Sequence, residues 1–111
     1  MRSLKFIVEG QTLKPDPNCD FSGLIPGSEG FLQAEFMFSP EWREYVKVVE
    51  FRSIMGKEYT PQLIKNDGTC VIPTEALQKR KFKIRIIARG ANETKLITNK
   101  ITIDQNGGIS V

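Results

Sequence analysis

The residues able to do chemistry are few in this chain, and they are not spaced for any familiar arrangement. Histidine is absent, so general acid–base work at neutral pH would fall to a strongly perturbed Glu, Lys or Cys. The carboxylates nearest one another are Glu41 with Glu44 and Asp16 with Asp20. Glycoside hydrolysis needs two carboxylates held apart across a substrate groove, and neighbours along the chain do not supply that. Cys19 and Cys70 are too few for a structural zinc, which takes four ligands. No disulfide can be argued from their spacing, and two free thiols are expected. Asn66-Asp67-Gly68 with Asp16 and Asp20 lacks the twelve-residue loop of alternating ligands that binds calcium. No phosphate loop, paired-cysteine motif or nucleophile triad occurs. The expectation is a protein that is not an enzyme and carries no cofactor or metal.

Cations are the abundant reactive type. The chain has 16 Lys and Arg against 13 Asp and Glu, a net charge of +3. Eight of those 16 cations fall between Gln78 and Lys100, where Glu93 is the sole acid. Phe82, Ile84, Ile86 and Ala88 alternate there with Lys81, Lys83, Arg85, Ile87 and Arg89. A period of two is the signature of a half-buried strand, here with a basic outer face. A solvated face that discourages edge pairing is the plainest reading. The functional reading is that Lys81, Lys83, Arg85 and Arg89 steer an acidic protein partner. Single-stranded nucleic acid is not the expected partner. It needs aromatics among the cations for base stacking, and Phe82 falls on the buried face.

The rest of the sequence supplies the elements that would carry such a strip. Leu4 to Val8 reads as a strand, with a short return near Leu13. Pro15, Asp16, Pro17 and Asn18 open a loop that runs through Gly30. Phe31 to Phe38 is a strand with Leu32, Ala34, Phe36 and Phe38 inward. Phe31 and Met37 break its alternation, so its outer face is expected to be partly covered. Ser39 is placed as the cap of a single helical turn beginning at Pro40, and Trp42 beside it as core rather than an exposed platform. Tyr45 to Ile54 and Tyr59 to Ile64 follow as strands, with Pro61 implying an edge or a bulge in the second. Asn66-Asp67-Gly68 predicts a hairpin into Cys70-Val71-Ile72. Thr74 is a candidate cap for a short helical turn, and Glu93 to Ile103 is expected to pair back on the basic strand. Ile109 to Val111 either extends the pairing or frays.

Seven or eight short strands with turn residues between them, and no sustained helical spacing, predict an all-β antiparallel sandwich in one domain spanning residues 1–111. Asn92-Glu93-Thr94 fits the glycosylation pattern formally, which matters only in a secreted eukaryotic protein. Met1-Arg2-Ser3-Leu4-Lys5-Phe6 lacks the apolar run of a signal peptide. No window approaches a membrane span. A soluble protein made in the cytosol, with no membrane association, is expected.

Taken in order, these features resemble a known family. Phe36-Met37-Phe38-Ser39-Pro40-Glu41-Trp42 precedes the strand Val46 to Phe51. Tyr59-Thr60-Pro61, the Asp67-Gly68 turn and Cys70-Val71-Ile72-Pro73-Thr74-Glu75-Ala76-Leu77 follow. Phe82 to Gly90 then leads to Ile97-Thr98-Asn99-Lys100. The stretch from Phe36 to Asn99 resembles the immunoglobulin-like β-sandwich module of tailed-phage structural and baseplate proteins of Gram-positive hosts. The resemblance implies an immunoglobulin-like sandwich without catalytic residues, docking onto virion subunits or a host surface by protein–protein contact, with self-association into a homo-oligomer compatible. It places the chain in a virion or the host cytoplasm. An alternative in a different class is a small phage-encoded inhibitor that binds and blocks a host defence or regulatory protein. The chain departs from the family in standing alone, since such modules often sit inside longer proteins.

Overall fold

Alternating apolar residues decide the strands, because each sheet can bury only one of its faces. The computed structural model describes residues 1–110. Sheet A has the order β2-β1-β3-β6, from β1 (Arg2–Glu9), β2 (Thr12–Pro15), β3 (Leu32–Phe38) and β6 (Thr69–Val71). Sheet B has the order β10-β9-β7-β4-β5. It is built from β4 (Val46–Ser53), β5 (Gln62–Leu63), β7 (Lys81–Arg89), β9 (Ile101–Asp104) and β10 (Gly108–Ser110), and β8 (Lys95–Ile97) also pairs with β7. Leu4, Phe6, Val8, Leu32, Ala34 and Phe36 of sheet A close on Val49, Phe51, Phe82, Ile84, Ile86 and Ile103 of sheet B, and all are buried. The result is an all-β sandwich around one core.

The chain crosses between sheets after β3, β5 and β6. The antiparallel pairs β3–β6 in one sheet and β4–β7 in the other therefore interlock, with β9 beside β7. One pairing departs from the antiparallel arrangement expected: β1 runs parallel to β3, with Phe6 opposite Phe36.

Several local expectations change. Asn66-Asp67-Gly68 makes the tight turn, with Gly68 at φ +85°, and Asp67 Oδ1 accepts from the Thr69 amide at 3.0 Å. It closes only a local hairpin loop, in which the Lys65 amide donates to the Thr69 carbonyl and the Gly68 amide to the Lys65 carbonyl, both at 2.9 Å, before β5 joins sheet B and β6 sheet A. Gly68 is held against β3, where its carbonyl accepts from the Phe36 amide at 2.8 Å. The strand expected from Tyr59 to Ile64 shrinks to Gln62–Leu63. The flanking amides of Tyr59 and Ile64 still donate to Phe51 and Lys47 at 2.9 Å, so the segment follows β4 across the gap left by Pro61, which has no amide donor. Ser39 stands at the cap position of the 3-10 turn Pro40–Trp42 as expected, but its side chain makes no capping bond, because its hydroxyl accepts from the Gly10 amide at 3.0 Å. Thr74 is the first residue of α1 (Thr74–Leu77) rather than its cap, and Pro73 stands at the cap position. The segment expected to pair back on β7 divides into β8 and β9. The outer face of β3 is not covered, as Met37 is 68% exposed. Val111 lies outside the described residues, while Gly108–Ser110 does extend sheet B.

Trp42 is fully buried, as expected of core, and its indole Nε1 donates to the Gly10 carbonyl at 2.6 Å. Cys70 is a buried free thiol, pushed up to about 12 by burial, and Cys19 is a half-buried free thiol.

Candidate protein-contact surface

Burying Phe82, Ile84, Ile86 and Ala88 forces the intervening residues of β7 onto the outside of sheet B. Residues directly opposite on neighbouring strands share a face, so the register sorts that outside into rows across the sheet. Lys81 stands opposite Asp104. Lys83 stands between Arg52 and Thr102, and Arg85 stands opposite Glu50. Arg89 stands between Val46 and Lys95.

The cations are not equivalent. Arg85 Nε donates to Glu50 Oε1 at 2.8 Å, and Arg52 Nε donates to the same oxygen at 3.0 Å. Arg52 also reaches Glu58 at 3.2 Å. The Glu50 side chain is 13% exposed. Partial burial pushes its carboxyl up, and the hydrogen bonds from Arg85 and Arg52 outweigh that, so it sits below the ordinary carboxylate range. Arg52 is correspondingly raised, chiefly by its hydrogen bond with Glu50. Arg85 therefore works inside the sheet, tying β7 to β4. Among the described residues, Lys81, Lys83, Arg89 and Lys95 make no ion pair. Lys81 does sit near Asp104, which is held below its ordinary range first by Arg80.

Between the Glu50–Arg85 row and the Val46–Arg89 row runs an apolar one that sequence reasoning missed. Leu63, Val48, Ile87 and Ile97 lie opposite one another across β5, β4, β7 and β8. Leu63 and Val46 are each 62% exposed. A shallow depression of about 300 Å³ opens here, with Pro61 and Glu58 at its rim. The available signal was Val46, Val48 and Ile87 at outward positions of their strands, but the row needs four strands brought together in register.

The carboxylates considered at the outset are not assembled into a catalytic pair. Asp20 accepts from Ser22, whose hydroxyl lies 2.6 Å away, and Asp16 accepts from the Asn18 amide at 2.9 Å, so each organises its own turn. Among the described residues, no group of His, Cys, Asp or Glu is arranged to hold a metal ion, and no helix is long and apolar enough to cross a membrane. No protein-family model, curated protein or solved structure matches the chain.

Proposed function

We propose that this chain is a non-enzymatic contact module, a virion tail or baseplate component of a phage or prophage of the kind its sequence resembles. It works by docking the outer face of sheet B on a protein partner. The apolar row Leu63, Val48, Ile87 and Ile97, bordered on one side by the unpaired cations Arg89 and Lys95 and on the other by the Glu50–Arg85 pair, supports this reading. Solvated strand faces carry scattered apolar residues, whereas a contiguous row, here with Leu63 exposed and Val48, Ile87 and Ile97 half-buried, is the pattern of an interaction surface. Covering Leu63 and Val46 supplies about 1 kcal/mol each. Lys81, Lys83 and Arg89 steer an acidic partner toward the row, and Arg85 fixes the sheet beneath it.

Two measurements test the reading. Mass spectrometry of purified particles should find the chain among the virion proteins. Its absence there, together with a defined complex with one host protein, would move it to the inhibitor class. Lys83→Glu with Arg89→Glu should weaken partner association at least tenfold while leaving thermal stability nearly unchanged. The new carboxylates would face Arg52 and Lys95 across the ladder. Unchanged affinity would remove this face from the account.

A further inference from the structure

A larger groove lies at the end of the sandwich, where β4 finishes and β7 begins. A groove of about 750 Å³ runs there between the 53–59 loop and the turn linking α1 to β7. Its apolar wall is Ile54, Met55 and Tyr59, and Met55 is 93% exposed. Lys57, Lys79 and Lys81 stand along it, and none of them makes an ion pair among the described residues. Arg80 and Glu75 complete the charged lining, and the Glu75 carboxylate, which feels the charge of Lys57, is outnumbered by the four cations. Arg80 Nε donates to Asp104 at 3.1 Å, and Glu75 Oε1 accepts from the Thr60 amide at 2.6 Å.

Both walls are already fixed. The Ser53 amide donates to the Lys57 carbonyl at 2.8 Å, the Lys57 amide to the Ser53 hydroxyl at 2.9 Å, and the Gly56 amide to the Ser53 carbonyl at 3.0 Å. On the opposite side the Gln105 side-chain amide donates to the carbonyls of Leu77 and Lys79 at 2.9 and 2.7 Å, and the Gln105 backbone amide donates to Arg80 at 2.7 Å. A groove ordered in advance loses little entropy when filled. A methionine held on a tight turn is a polarisable, adaptable anchor for an apolar side chain.

We propose that this groove binds an acidic peptide segment by one large apolar side chain laid against Met55 and Ile54, with carboxylates on either side meeting Lys57, Lys79 and Lys81. Charge complementarity selects the occupant: three unpaired ammonium groups around an apolar wall favour alternating acidic and apolar chemistry. Nucleic acid fits less well, because Tyr59 is buried and offers no exposed ring for stacking. The site shares Lys81 with the cations of the sheet face but not the apolar row, and it stands whether or not that row is an interface.

The test uses a fluorescein-labelled decapeptide of Asp and Glu with one central Leu, titrated by fluorescence anisotropy into the full chain. The same peptide with Ala for Leu should bind at least tenfold more weakly. Lys57→Glu with Lys79→Glu should weaken the Leu peptide at least tenfold, and Met55→Ser about fivefold. Lys14→Ala, remote on sheet A, should leave it unchanged. The ¹³C-labelled methyl of Met55 should shift on binding, and circular dichroism of each variant should match the parent. The proposal is overturned if the Leu peptide fails to bind, if the Ala peptide binds equally, or if the Met55 methyl does not move. Preference for a labelled oligothymidylate of equal charge would overturn it too. So would a self-association that Met55→Ser abolishes. None of these results bears on the sheet face, which the Lys83 and Arg89 variant reports separately.

Discussion

Glu50 is the residue at which stability and recognition pull in opposite directions. Its carboxylate takes hydrogen bonds from Arg85 at 2.8 Å and Arg52 at 3.0 Å, and all three side chains are less than one-third exposed. Glu50→Gln keeps the shape and removes the charge. Two charge-assisted hydrogen bonds in a partly screened setting make the loss about 1–2 kcal/mol, above an exposed surface pair and below a fully buried one. That lowers Tm by roughly 4–8 °C in a domain of this size. The pH dependence has a fixed sign. The folded carboxyl sits below its ordinary value of 4.5, so its stabilisation is complete above that value and is lost as pH falls through the folded one. Urea unfolding followed by the fluorescence of Trp42 should show the full gap between parent and variant at pH 7 and a shrinking gap below pH 4.5. The variant should also bind an acidic partner more tightly at low salt, because the face gains a positive charge. A gap of equal size at pH 3 and pH 7, or no gap at all, would refute this account of Glu50.

Other perturbations have equally specific consequences. Gly68→Ala puts a Cβ 2.6 Å from the Phe36 carbonyl oxygen at a φ of +85°, and should cost about 2–4 kcal/mol by urea unfolding; a loss under 1 kcal/mol would mean the turn does not press on β3. Trp42→Phe removes the indole donor to the Gly10 carbonyl along with buried volume. It should cost about 2–3 kcal/mol by circular dichroism melts. At pH 8 a thiol reagent should label Cys19 in the folded chain and reach Cys70, pushed up to about 12 by burial, only in denaturant. Rapid labelling of both in the folded chain would contradict the buried position of Cys70.

How legible the fold was depended on how local each signal is. The Lys81 to Arg89 strand showed itself because one face is fully buried and the other meets water, which writes a period of two into the residues. Turn chemistry was equally local, so Asn66-Asp67-Gly68 announced a reversal. It could not say that the strands on either side join different sheets, which contacts far along the chain decide. The parallel β1–β3 pairing was hidden for the same reason, since nothing near Phe6 specifies Phe36 as its neighbour. At the candidate site the cations were visible by type. That Arg85 serves Glu50 depends on a residue 35 positions away, and the apolar row depends on four strands in register. Phe31 and Met37 misled because apolar residues on an outward face were read as a covered face, and both are exposed.

The central claim is that the outside of sheet B is where this protein meets its partner. Lysine acetylation footprinting, comparing the isolated chain with the chain in its assembled particle or complex, tests it most directly. Lys83 and Lys95 should become protected, while Lys5 and Lys14 on sheet A stay reactive. Protection of Lys5 and Lys14 with Lys83 and Lys95 still fully reactive would contradict it.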